Sequence, residues 1–282
     1  LRQYVDLVKN VLDNGVLKQN RTGTDTISSF SEFYKVDLSE GYPLITTKKV
    51  AFRSVILELL WYLRGEDHIR WLRDENDCHI WDAWADESGH VGPIYPVMWR
   101  RFPYIEEEIV AIEGVGGKLE HTTWAKKEFD QLQNAIDLLK TNPHSRRIVV
   151  SAWHPGELKN MALPPCHLMY IFNVANGKLN CHLTQRSGDI ALGIPFNLAC
   201  YSALTMAVAQ EVGLEPGVFA HTIVDAHIYV NHVDGLRKQL EREPRPLPRL
   251  EIANKPVDEL TLEDFKLIGY DPHPGIKFEV AV

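Results

Sequence analysis

Cysteine is scarce in this sequence. Of 282 residues only Cys78, Cys166, Cys181 and Cys200 carry a thiol, and no two of them stand in a C-x-x-C pair or at a metal-ligand spacing. That argues against a disulfide-stapled secreted scaffold and against a zinc fold, and it predicts a reducing, cytoplasmic setting with no bound metal. Long apolar runs are missing as well. No stretch approaches the ~18 residues of a membrane span. The opening segment mixes Arg2, Asp6 and Lys9 among its apolar residues, which leaves no signal-peptide core. A soluble chain with no membrane partner is expected. Basic charge is also in short supply: 30 Lys and Arg face 38 Asp and Glu, for a net charge of -8. Such a chain has no general attraction to phosphate polymers, so nucleic acid is not an expected partner and any anion must be held by local clusters of Arg or Lys. Attention turns to small phosphorylated ligands.

What the sequence does contain is ordinary globular composition, 45% hydrophobic and 24% charged, long enough for one large core. Val5, Val8 and Leu12 repeat at helical spacing and stop at Asn14-Gly15. Ile27 to Leu38 reads as strand. A second helix is predicted from a Ser54 cap through Val55, Leu59, Leu60 and Leu63 to Gly65, and Glu58 is its one carboxylate. Leu132, Ile136 and Leu139 mark another helix, and Ile148 to Trp153 a short strand. Leu168, Tyr170, Phe172 and Val174 alternate up to an Asn176-Gly177 turn, from which Leu179, Cys181 and Leu183 return as a paired strand. A long apolar helix is predicted over about 197–212, a strand over 218–229 and a helix over 233–240. Pro103 to Lys127 shows an acidic run and no sustained period, which predicts a surface excursion of variable structure. No linker or repeat divides the chain. The expected fold class is α+β: a single domain over residues 1–282, on a mixed, largely buried β-sheet packed with helices.

Few residues stand out for chemistry. Cys166 lies in Leu163-Pro164-Pro165-Cys166-His167, directly before a strand pattern, and reads either as a buried structural thiol or as a nucleophile in need of nearby positive charge. Candidates for that charge are Arg21 in Asn20-Arg21-Thr22-Gly23-Thr24, the pair Arg146-Arg147 after Ser145, and Arg186-Ser187. Each is either a solvated surface Arg or part of a phosphate site, since guanidinium and hydroxyl donors suit one dianion. Glu58, on an apolar helix face, is either paired in the core or kept as an acid of raised pKa. Trp81, Trp84 and Tyr95 are core aromatics or the walls of a slot for a flat ring. His227 and Tyr229 share one strand face and could hold a sugar or cap the core.

Three blocks together carry a resemblance: Leu163-Pro164-Pro165-Cys166-His167; Gln185-Arg186-Ser187-Gly188-Asp189, followed by Leu192-Gly193-Ile194-Pro195-Phe196-Asn197; and Asp225-Ala226-His227-Ile228-Tyr229. In this order, and with Asn20 to Thr24, Thr46 to Lys49, Glu58 to Trp61, Ile80 to Asp82 and the closing Lys277 to Val282, they resemble the thymidylate synthase family over nearly the whole chain. The resemblance implies a sheet-to-sheet homodimer that methylates dUMP to dTMP, with methylene tetrahydrofolate giving carbon and hydride and leaving dihydrofolate. It implies Cys166 as nucleophile, Glu58 as proton donor and organiser of water, Tyr95 in a proton-accepting chain, and Asn197 at the uracil edge. Arg21, Arg186 and Ser187, with Arg146 and Arg147 donated by the partner subunit, would surround the phosphate, while His227 and Tyr229 hold the deoxyribose and Asp189 lies between nucleotide and folate. On the folate side it implies Lys48, Ile80, Trp81, Trp84, Asp189, Gly193, Phe196, Ala281 and Val282. Pro96, Val97 and Met98 depart from the family pattern after Tyr95. Two rivals are a dUMP hydroxymethylase of the same family and a catalytically idle relative that binds nucleotide or RNA. A cytosine-selective member would carry Asp at Asn197.

Overall fold

The computed structural model of the chain describes residues 1–20, 23–114 and 117–280, with the backbone alone given between 110 and 121. The opening repeat forms α1 (Arg2–Asn14), which buries Tyr4, Val5, Leu7, Val8 and Val11 and closes where the Gly15 N–H reaches the Val11 carbonyl. β1 (Val16–Lys18) and β2 (Thr26–Asp37) follow as an antiparallel pair. α2 (Phe52–Arg64) ends at Gly65, as its sequence predicts, but starts earlier than Ser54. The Ala51 carbonyl already accepts from the Val55 N–H at 3.1 Å. Ser54 therefore sits within the first turn and caps nothing.

α3 (Tyr95–Arg100) holds Pro96 in its first turn, where a helix has no use for the missing N–H, so the departure after Tyr95 is accommodated by a short helix. The excursion differs more from its expectation. β3 (Phe102–Gly114) and β4 (Gly117–Phe129) pair along their full length as an isolated ribbon. Ile105, Ile109 and Trp124 are exposed on it, and Lys127 bridges Glu108 along its surface. Among the described residues the ribbon pairs with no other strand, so its sequence needs no alternation between a sheet's core face and its outer face.

α4 (Gln131–Thr141) starts at Asp130, whose carboxylate accepts from the Gln133 N–H at 2.9 Å. β5 (Val149–Ser151), β6 (His167–Ala175) and β7 (Lys178–Asp189) come next, the last two joined by Asn176 and Gly177 at φ of 52° and 72°, a turn whose twist matches the strands it connects. α5 (Gly193–Glu211) is buried on almost every side, from Ile194 to Ala209. It can lie close to the sheet because Gly188 has no side chain: a Cβ there would stand 2.7 Å from Ile194 Cδ1. β8 (Glu215–Tyr229), α6 (Val233–Leu240), β9 (Arg249–Ile252) and β10 (Phe265–Ile268) complete the chain.

The main sheet runs β1-β2-β8-β7-β6-β5, parallel between β7 and β8 and antiparallel elsewhere, so the single α+β domain on a mixed sheet is as expected. One core joins α1, α2 and α5 to the sheet. Elsewhere on β1 and β2 the side chains of Val16, Leu17, Phe30 and Phe33 are left exposed.

Candidate active site

Cys166 precedes β6 at the point where that strand pairs with β7, and its backbone is tied from both sides. Its N–H donates to the Tyr95 hydroxyl at 2.7 Å, and its carbonyl accepts from the Arg186 N–H at 2.8 Å. The Arg186 side chain turns back over the same segment, donating to the carbonyls of Pro164 and Pro165 at 2.8 Å each. That brings Nη2 within 3.7 Å of the Cys166 Sγ. The half-buried thiol therefore has a guanidinium as a direct neighbour, the positive charge that favours a thiolate.

Tyr95 opens α3 and stacks on His167, with ring centroids 3.8 Å apart and planes 10° apart. Burial raises its phenol well above the ordinary range, with the nearby Cys166 adding to the effect. Burial likewise holds His167 down to about 3, so its imidazole is neutral, with Nδ1 2.7 Å from the Tyr201 hydroxyl. Tyr95 consequently acts as a protonated hydrogen-bonding hydroxyl and not as a phenolate.

Glu58 lies in the middle of α2 and is buried. Burial raises its carboxyl to about 7, against hydrogen bonds from Trp81 and Tyr62 that pull it the other way. The Trp81 indole N–H donates to it at 2.9 Å. An acid poised near neutrality can give and take a proton in turn. The sequence left Glu58 either paired or kept as a raised acid; among the described residues no cation pairs with it.

Asn197 sits in the second turn of α5, buried, and its Oδ1 accepts from Gln185 Nε2 at 3.1 Å. Ser187 and Asp189 follow Gln185 along β7, where register sets Ser187 beside Asp225 and Asp189 beside His227 on β8. One Asp189 oxygen accepts from the Ala191 N–H at 2.8 Å and the Leu192 N–H at 3.3 Å, which organises the entry to α5. His227 and Tyr229 meet edge to face at 5.3 Å. A hydrogen bond from His227, helped by Ser28 and Lys18, holds the Asp225 carboxyl far below the usual carboxylate range.

On the other flank Trp81 is buried against Trp61, while Trp84, Ile80 and Phe196 are half-buried and keep part of their apolar surface open. A Cβ on Gly193 would stand 3.7 Å from Asn197 Oδ1 and 3.8 Å from the Asp189 Cβ, so this glycine is a near neighbour of both residues. An apolar wall with a polar edge suits a flat heterocycle such as a pterin. Lys48 is more deeply placed than the sequence suggests. Its ammonium donates to the Ala191 carbonyl at 2.5 Å, lies 4.6 Å from the centre of the Phe278 ring, and is lowered by burial to about 8. The tail beyond Ile276 docks here too: Phe278 is buried, and the Glu279 carbonyl lies 2.7 Å from His232 Nε2.

Arg146 and Arg147 are not drawn into this cluster. They are exposed on the loop before β5, at the edge of the sheet. Arg21, Ala281 and Val282 lie outside the described residues. Sequence reading gave no role to Gln185, His221 or Tyr34, which the structure connects to Asn197. Gln185 could have been noticed from its place in the Gln-Arg-Ser-Gly-Asp block; the other two meet only through strand register. Among the described residues, no three His, Cys, Asp or Glu groups are arranged to hold a metal ion, and no helix is long and apolar enough to cross a membrane.

A family sequence model, described as thymidylate synthase, matches residues 2–282. With that match over essentially the whole length, and with the cysteine, arginine and buried acid of its blocks gathered around one strand end, the chain belongs to the thymidylate synthase family, whose methyltransferases act on a nucleotide with methylene tetrahydrofolate as co-substrate.

Proposed function

We propose that the chain converts dUMP to dTMP, with Cys166 as the nucleophile. The observation that carries this reading is the Arg186 guanidinium 3.7 Å from the Cys166 sulfur, in a loop whose backbone is fixed by Tyr95 and Arg186 itself. C5 of uracil is a poor nucleophile. Addition of the Cys166 thiolate at C6 moves the ring electrons onto C5 and O4 and gives C5 enolate character. The Asn197 amide supports that charge by donating to O4, and Glu58, with its acid poised near neutrality, exchanges protons with O4 through water. The Tyr95 hydroxyl, held on the Cys166 backbone, relays the C5 proton outward. When bound, methylene tetrahydrofolate would supply both the one-carbon unit and the hydride.

Ile80, Trp81, Trp84, Gly193 and Phe196 would hold the flat ring of the folate and exclude water, with Asp189 at its polar edge. Lys48 would meet the glutamate tail by leaving the Ala191 carbonyl, and Ala281 and Val282 would close over the ligands. Arg21, Arg186 and Ser187 would bind the phosphate, completed by Arg146 and Arg147 from a second subunit packed sheet to sheet, for which the exposed Phe30 and Phe33 are the apolar surface. His227 and Tyr229 would hold the deoxyribose. The test is to incubate the protein with dUMP and methylene tetrahydrofolate, follow dihydrofolate by absorbance and identify the nucleotide by mass. Equal amounts of dTMP and dihydrofolate are expected. A hydroxymethyl nucleotide without dihydrofolate would identify the hydroxymethylase instead, and binding without any product an idle relative.

A further inference from the structure

A primary amide can present either end to a pyrimidine, so Asn197 reads uracil only if something prevents it from turning over. Four buried side chains run in line behind it. Asn197 Oδ1 accepts from Gln185 Nε2 at 3.1 Å; Gln185 Oε1 is 2.9 Å from His221 Nε2; His221 Nδ1 is 2.7 Å from the Tyr34 hydroxyl. Gln185 and His221 are 2% and 0% exposed, so water cannot replace a lost partner. Tyr34 and His221 are opposite one another in the β2–β8 register, which fixes the far end of the line in the sheet itself.

The direction of each bond follows from one carbonyl. Gln185 Nε2 also donates to the Ser187 carbonyl at 2.9 Å, and a carbonyl can only accept. The NH2 end of Gln185 is therefore fixed toward Ser187 and Asn197, and its oxygen toward His221. His221 must then carry its proton on Nε2, and its bare Nδ1 accepts from the Tyr34 hydroxyl. Burial keeps His221 neutral and Tyr34 protonated, as this arrangement requires. Reversing Asn197 would set two acceptors or two donors against each other at some point along the line.

On the reading of the site as a dUMP site, we propose that Tyr34 and His221 are positioning residues for base selection: through Gln185 they hold the Asn197 amide with its NH2 toward the pyrimidine, which matches the 4-oxygen of uracil and opposes the 4-amine of cytosine. Neither residue has to touch the nucleotide. Their effect is on the ratio of two affinities, which a merely structural role would not change.

The test is calorimetric binding of dUMP and of dCMP to the full-length protein and to Tyr34→Phe, His221→Phe and His221→Gln, with 15N NMR of the imidazole to read the His221 tautomer. Preference for dUMP should fall about threefold in Tyr34→Phe and about tenfold in His221→Phe, as expected when a buried hydrogen bond is broken. It should recover in His221→Gln, whose amide N–H can again donate to Gln185. The wild-type ring should carry its proton on Nε2. A proton on Nδ1, or an unchanged preference in folded Tyr34→Phe, overturns the proposal while the dUMP site stands. Tyr34→Phe, which removes one hydroxyl, carries the test if His221→Phe does not fold. Failure of the wild type to bind dUMP at all would instead remove the reading of the site, and the base-selection role with it.

Discussion

At the proposed pyrimidine end, Asn197, Gln185, His221 and Glu58 are buried and held by hydrogen bonds; at the proposed phosphate end, Arg146 and Arg147 lie exposed on the loop before β5. The first region keeps its geometry without a ligand, because a misdirected polar group in a dry interior costs more than any gain from turning it. The second is set by charge that solvent and salt screen, and on the proposed reading a dianion and a neighbouring subunit would complete it. Selection of the base should therefore depend on buried neutral groups, and capture of the nucleotide on exposed cations. Arg186 joins the two, with its guanidinium anchored on Pro164 and Pro165 and directed at the Cys166 sulfur.

The largest effect should come from the nucleophile. Cys166→Ser is expected to leave folding and dUMP affinity nearly intact and to lower turnover by several orders of magnitude, measured as dihydrofolate release, because a neutral hydroxyl adds poorly at C6. Glu58→Gln should follow, with turnover down about a hundredfold and little change in dUMP affinity. This second variant also separates function from stability. The Glu58 carboxyl is raised from its ordinary 4.5 to about 7, so burying it is harmless below pH 4.5, increasingly unfavourable as pH rises from 4.5 to about 7, and constant in cost above that. The accumulated cost is up to roughly 3 kcal/mol. Denaturant midpoints should therefore show Glu58→Gln more stable than wild type at pH 8, with the difference gone near pH 4.5. Equal stability at both pH values would mean that Glu58 ionises normally.

The exposed end can be tested by mixing. Cys166→Ser chains combined with chains carrying Arg146→Ala and Arg147→Ala should recover about a quarter of wild-type turnover, since half the dimers would be hybrids with one intact site each. No recovery in verified heterodimers would place those arginines outside a shared site. The smallest effect is expected on the ribbon. Trp124→Ser should change stability by less than ~0.5 kcal/mol, because the side chain is exposed and packs on no core.

What the sequence makes legible follows the same division. The helix end at Gly65 and the Asn176-Gly177 turn were readable because each needs left-handed backbone, and the end at Gly15 because a Cβ there would run into the Val11 carbonyl oxygen. The β3–β4 ribbon was not, because it is defined by cross-strand partners that no local period reveals. Ser54 misled because a cap depends on where the backbone first bends into the helix, which the Ala51 carbonyl decides. At the proposed site, Cys166, Glu58 and Asn197 were singled out from their blocks. Arg186 stood out as one of several candidate charges, but its course back across two prolines onto the sulfur did not, and His221 and Tyr34 did not stand out at all because they lie in strands whose register no local pattern specifies.

The most direct test of the account is the base preference of the buried amide. Turnover over Michaelis constant should be measured for dUMP and dCMP in wild type and in Asn197→Asp. The carboxylate cannot donate to O4 but can accept from a cytosine amine, and a mismatch of this kind is typically worth about 1–3 kcal/mol. The account predicts that the dUMP-to-dCMP ratio falls by tens of fold. A ratio that stays at its wild-type value would contradict it, because the base would then be chosen somewhere other than at Asn197.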